Sequence, residues 1–141
     1  VTARLTRADI GAWLLKSARA LDAGWASDTE VDLARCVRPS YRLDLVTAGQ
    51  PCVLWVSGRA DPGVHAVGVV TGPVEPGEDG PVLPARWRRL PEPVPREALL
   101  ADPVARSAEV LRMPAGSNPS WLSPAQWSVV QAMTAGWTGG R

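Results

Sequence analysis

Phenylalanine is absent from the 141 residues, histidine occurs once, and a single lysine stands among fifteen cationic residues. Each scarcity removes a class of function. His65, Cys36 and Cys52 have no short paired spacing and are too few for an ordinary tetrahedral zinc site or a disulfide framework, so no metal and no other cofactor is expected. A formal net charge of +1 gives no global basic field, and any contact with nucleic acid has to be local. No apolar run is long enough to cross a bilayer, and the first residues lack the hydrophobic region and cleavage site of a secretory leader. These absences predict a soluble, cytoplasmic protein with no membrane partner and with reduced, mostly buried thiols.

What is present is indole and arginine. Seven Trp and the lone Tyr41 supply all the aromatic surface, more than one core of this size calls for, so some of it is expected outside the core. Cationic residues are fourteen Arg and Lys16, a bias that genome composition accounts for and that makes the position of Lys16 informative. It ends the run Trp13-Leu14-Leu15-Lys16-Ser17, which reads as a first strand with Trp13, Leu15 and Ser17 on one face and Leu14 and Lys16 on the other. Such a strand delivers Lys16 and Ser17 to a pocket mouth. The length suits one domain, residues 1–141, with residues 1–11 as a lead-in carrying one helical turn after Thr6.

Along the rest of the chain, residues 18–24 read as a short Ala-rich helix ending at Gly24, and residues 26–30 as a polar loop. Residues 31–37 have no clean period, and Pro39 keeps the Arg38–Tyr41 stretch an extended, fixed loop. Pro51–Ser57 is the clearest strand, with Val53, Trp55 and Ser57 on one face and Cys52, Leu54 and Val56 on the other. Asp61-Pro62-Gly63 turns it into a returning strand at 64–71, where Gly68 marks the close approach of another backbone. An acidic turn at 75–80 precedes a strand at 82–90, whose prolines at 81 and 84 predict a sheet edge. A short helix is expected at 96–101, a short strand at 108–113, and a C-terminal helix at 123–135. The last is the best determined: Ser123 as N-cap, Pro124 at the first helical position and Gln126 closing a capping box. Trp127, Val130, Thr134 and Trp137 form its apolar stripe, Leu122 staples onto Trp127, and Gly136 ends its regular part.

Four stretches in this order resemble the EVE domain: Trp13-Leu14-Leu15-Lys16-Ser17; Val37-Arg38 with Tyr41-Arg42 beyond it; Trp55-Val56-Ser57-Gly58; and the closing Arg112-Met113-Pro114-Ala115-Gly116-Ser117-Asn118 with Leu122-Ser123-Pro124-Ala125-Gln126-Trp127. The resemblance spans about residues 12–134. It implies an α+β, PUA-like fold related to YTH and ASCH domains, a strongly bent mixed β-sheet forming a small open barrel with flanking helices. It implies no catalysis, but a reader that takes a methylated or hydroxymethylated base of DNA or RNA into an aromatic-walled pocket. Relatives often carry a further cage Trp just before the Val-Arg step, where this chain has Ala34 and Arg35; a two-sided cage, or Trp25 in place of the missing wall, would follow.

A modified base needs aromatic faces for stacking, donors and acceptors for its edge, and cations for flanking phosphates. Trp13 and Trp55 are the candidate walls, each sharing a strand face with a serine; the alternative is that they are plain core. Tyr41 lies in the proline-fixed loop with Val37, Pro39 and Ser40, and its ring otherwise covers the barrel end. Ser17 and Ser57 are candidate base-edge partners or turn-stabilising hydroxyls, and Asn118 a base-edge partner or an Asx-turn residue. Lys16, Arg38, Arg42, Arg86 and Arg88 are phosphate candidates, the alternatives being ion pairs of Arg38 and Arg42 with Asp44 or Glu30 and an edge-strand role for residues 86–89. His65 reads as a hydrogen-bonded core histidine, and Cys36 lacks a base beside it. Three functions remain: a reader of modified nucleic acid, a binder or enzyme acting on a free nucleoside or similar small molecule, and a module with a protein partner.

Overall fold

Runs that are apolar on both faces belong in the interior of a sheet, and two of them form the centre here. The computed structural model describes residues 4–139, with side chains to Thr134. In it β1 (Ala12–Ser17) lies parallel to β3 (Pro51–Val56), with Trp13 level with Cys52 and Lys16 level with Trp55. Between them in sequence, β2 (Glu30–Cys36) crosses to the far edge of the sheet. β4 (Gly63–Val70) returns antiparallel on β3, and the long β6 (Gly80–Pro95) pairs with β4 on one side and β2 on the other. β5 (Glu75–Gly77) folds onto the start of β6, and β7 (Ser120–Leu122) closes the order β2-β6-β4-β3-β1-β7. The seven-stranded sheet is mixed and open.

Each face carries its own core. On one, Leu14, Val53, Trp55, Val64 and Val94 are covered by α1 (Arg96–Ala101), α2 (Glu109–Arg112) and α3 (Pro124–Gly139) through Leu99, Val110, Leu111 and Val130. On the other, Trp13, Leu15, Cys52, Leu54, Leu83 and Trp87 pack together, with Leu21, Trp25, Leu43, Leu45 and Trp121 around them. Leu14 and Leu15, both wholly buried on opposite faces, each contribute about 2 kcal/mol relative to exposure.

The hairpin, α1 and the α3 cap are as the sequence predicts. Gln126 N donates to Ser123 Oγ at 3.1 Å, while Ser123 N donates to Gln126 Oε1 at 2.9 Å. A Cβ on Gly68 would land on the Arg86 carbonyl and come within 3.0 Å of Trp87 Cε3, the backbone approach expected there. Thr6 N and Oγ1 donate to Asp9 Oδ2 around the single 3-10 turn of the lead-in.

Elsewhere the structure corrects the reading. Residues 18–24 form an irregular loop, with the Arg19 carbonyl held by Ser17 Oγ, the Asp22 carbonyl by Arg89 from β6 and Gly24 N by Asp22 Oδ1. Residues 31–36 are strand β2, exposed along most of its length and therefore lacking an apolar period. Residues 38–40 are the loop expected, with Ser40 extended, and only at Tyr41 does the chain enter a 3-10 turn, Tyr41–Leu45. β6 is interior, not an edge; its prolines fit because their carbonyls still serve, Pro81 O accepting from Val37 N and Pro84 O from Thr71 N, each at 3.0 Å. Residues 109–112 are helix, with Val110 and Leu111 turned to the core, so a short apolar run misled on type. α3 continues past Gly136 to Gly139, and the predicted stripe member Trp137 lies outside the described side chains.

Candidate functional site at the end of the parallel pair

Because β1 and β3 run parallel, their last residues emerge together. Ser57 N and Oγ both donate to the Ser17 carbonyl, at 2.9 and 3.3 Å. Alternation then separates the neighbours: Lys16 belongs to the helix-covered face and Ser17 to the opposite one. The four segments singled out in the sequence do converge here, but as two unlike halves.

The Lys16 half is a closed knot. Asn118 Oδ1 accepts from Lys16 N at 3.2 Å, Asn118 Nδ2 donates to Cys36 O at 3.2 Å, and Asn118 O accepts from Arg38 N at 2.8 Å. Asn118 thus ties the end of β2 to the chain entering β7, the two strands at opposite edges of the open sheet. Lys16 Nζ donates to Pro114 O and Gly116 O, both at 3.1 Å. Burial pulls that amine below its ordinary 10.5; Glu109 opposes the shift, and Arg38 and Arg42 add to it. Arg42 forks onto Glu109 at 2.7 and 2.9 Å and donates to Pro119 O at 3.0 Å, while Ser120 Oγ donates to Glu109 Oε1 at 2.8 Å. The hydrogen bonds from Arg42, and then from Ser120, hold the Glu109 carboxyl below its ordinary 4.5, against burial.

Several site expectations change on this geometry. Arg42 is spent on Glu109 rather than open to a phosphate, and its partner is neither Asp44 nor Glu30. Tyr41 OH accepts from Leu5 N at 2.9 Å and Arg4 lies 4.4 Å above its ring, so the ring is engaged by the lead-in. Ser40 Oγ accepts from Arg42 N at 3.2 Å and starts the 3-10 turn; Val37 is buried, while Arg38 and Pro39 are exposed. Trp13 is 0% exposed with Nε1 donating to Gln50 Oε1 at 2.8 Å, and Trp55 is 3% exposed in the other core. They face opposite sides of the sheet and do not wall one pocket. Arg86 pairs with Asp32 and Arg88 with Asp28, both at 3.0 Å and at the surface, on a strand pair away from this end.

The Ser17 half is open. A groove of about 470 Å³ is lined by Ser17, Arg19, Leu21, Trp25, Leu33 and Arg35 among others, within the size range of small-ligand pockets. Ser17 Oγ donates to Arg19 O at 2.8 Å, fixing the turn at the groove's end. Trp25 is half-buried and held: its Nε1 donates to Thr29 O at 3.0 Å, and Arg89 Nη1 donates to the carbonyls of Asp22 and Trp25 at 2.7 and 2.9 Å. Arg35, at the place where the resemblance leaves a cage wall missing, lines the same groove as Trp25. Arg19, Leu33 and Glu109 carry no motif of their own, and Arg89, read in the basic stretch 86–89, instead braces the Trp25 loop; the gap at Ala34 and Arg35 was the one sequence signal pointing to Trp25.

His65 is buried, with Nε2 at 2.6 Å from Asp61 O. Of the thiols, Cys52 is buried and pushed up to about 12 by desolvation, whereas Cys36 is exposed, so only one is sequestered as expected. Among the described residues no group of three His, Cys, Asp or Glu side chains is placed to hold a metal, and no helix is long and apolar enough to cross a membrane.

No protein-family model matches the chain, and no curated protein matches it by sequence. Solved structures match across most of its length. A hypothetical protein from Leishmania major superposes with a TM-score of 0.68 at 13% identity, covering 90% of this chain and 96% of that one. Rpa0253 from Rhodopseudomonas palustris gives 0.68 at 15%, covering 89% and 94%. Human THYN1, solved in complex with 5-methylcytosine-containing DNA, gives 0.55 at 14%, covering 87% and 96%. At such identities the likeness speaks for the fold, which is PUA-like.

Proposed function

We propose that this chain is an EVE-type reader, a non-catalytic cytoplasmic protein that takes a modified nucleobase of DNA or RNA into the groove beside Ser17. The observation that carries the reading is the placement of a restrained, half-buried indole, Trp25, over a groove edged by Arg19 and Arg35 at the exit of the parallel strands. An indole offers the flat face that a base requires, and stacking of this kind is worth roughly 1–3 kcal/mol per base. Arg19 and Arg35 supply local positive charge for flanking phosphates in a chain with little net charge. The fold it shares with THYN1, a protein seen with 5-methylcytosine-containing DNA, agrees with a cytosine modification as the first ligand to try. Trp25 takes the stacking role first considered for Trp13 and Trp55.

The test is binding of matched oligonucleotides with and without 5-methylcytosine or methylated adenine, across salt concentrations. Tighter binding of a modified strand, weakened about tenfold by Trp25→Ala, is the expected result. Indifference to modification, together with negligible affinity even at low salt, would sink the reading. A panel of free nucleosides in a thermal-shift assay separates a small-molecule binder, since a ligand of the native state alone raises its stability.

A further inference from the structure

Trp25 lines not one groove but two. The second, about 400 Å³, is bounded by Ala23, Ser27, His65, Arg89, Leu90 and Pro93 among others, with Trp25 as the residue common to both. The loop is divided in the same way, Asp22 lining the groove beside Ser17 and Ala23 the one beside His65. A loop that merely shielded the core would not need this degree of restraint. Besides the two carbonyls held by Arg89 Nη1, Asp28 N donates to Arg89 O at 2.8 Å and Trp25 N to Asp22 O at 3.0 Å. The indole is therefore presented as a fixed partition rather than a swinging lid.

Resting on the reading above, we propose that the site recognises a dinucleotide step: Trp25 is a wedge, with the modified base in the groove beside Ser17 and one neighbouring base in the groove beside His65. The ligand is a single-stranded or locally unpaired strand, because two stacked bases in a duplex leave no room for an indole between them. The second groove suits a generic base. Its walls include the apolar Ala23, Leu90 and Pro93 and the polar Ser27, His65 and Arg89; His65 Nε2 is committed to Asp61 O and Arg89 Nη1 to the carbonyls of Asp22 and Trp25, so the groove offers contact area and little edge-specific readout. The consequence is a preference for any base over none at one flank, with modest dependence on which base it is.

The experiment uses single-stranded DNA and RNA oligonucleotides bearing one 5-methylcytosine, with an abasic residue placed on its 5′ side, its 3′ side or neither. Removing the neighbouring base on one side should weaken binding about 5- to 150-fold, the range for loss of one stacked base, while removal on the other side leaves affinity nearly unchanged. Ser27→Trp, an exposed position that would fill the second groove, should weaken the intact strand by a similar factor and should not weaken the abasic strand further. Equal affinities for all three strands, with Trp25→Ala still weakening binding about tenfold, would overturn the wedge and leave the single-base reading standing. Failure of every strand to bind, modified or not, would overturn both.

Discussion

The last two residues of β1 lie side by side and live in opposite circumstances. Around Lys16 the polar groups are paired with one another: two carbonyls for the amine, a fork for Glu109, and an amide that joins three segments. Around Ser17 the chain leaves a groove with a braced indole and two arginines at its edge. The comparison separates two jobs. Saturated networks in a low-dielectric setting hold a fold in one arrangement; unsaturated concave surfaces are where ligands find partners. If that division is right, mutations on the Lys16 side should act on stability, and mutations on the Ser17 side on binding.

Glu109→Ala should have the largest effect. It strands Arg42, whose side chain is 13% exposed like that of Glu109, and breaking a mostly buried pair in this way costs about 3 kcal/mol by denaturant unfolding. The pH dependence follows from the depressed carboxyl. Its stabilisation is fully present above 4.5 and is lost as the pH falls through the lower folded-state value. The acid limb of stability should therefore be steeper in the parent than in Glu109→Gln, and identical limbs would remove Glu109 from the account.

Asn118→Ala comes next, at about 2 kcal/mol, because Lys16 N and Cys36 O lose their partner together. Native-state hydrogen exchange should localise the loss to the two sheet edges that Asn118 joins; a uniform loss would mean that it is not a clasp. Trp25→Ala should reverse the pattern, costing about 1 kcal/mol of stability but about tenfold in oligonucleotide affinity. Arg86→Ala, which removes an exposed ion pair, should shift neither Tm nor affinity resolvably, and a clear loss of affinity would move the interface onto β6.

Local chemistry made part of this legible in the sequence. The α3 cap needs only Ser123 and Gln126, and the β3–β4 hairpin only alternation and a turn, so both could be read from adjacent residues. Face assignments within each strand also held, Trp13 with Leu15 and Val53 with Trp55. Which face of β1 coincides with which face of β3 is a long-range matter, and the parallel register that levels Trp13 with Cys52 turns the two candidate walls away from each other. β2 was invisible because, exposed along most of its length, it has no period to show. Of the candidate site, Lys16, Ser17, Ser57 and Asn118 do meet, while Glu109 reaches it through folding alone and Arg89, read as part of a basic stretch, reaches it as the brace of Trp25.

The lone lysine has a practical corollary. Its ε-amine is engaged by the carbonyls of residues 114 and 116, so acylation is slowed while those two bonds are made and quickens when that loop lifts. In a chain with one such side chain, the acylation rate at Lys16, separated from that of the α-amine by peptide mass, becomes a readout of one local opening, without a reporter group.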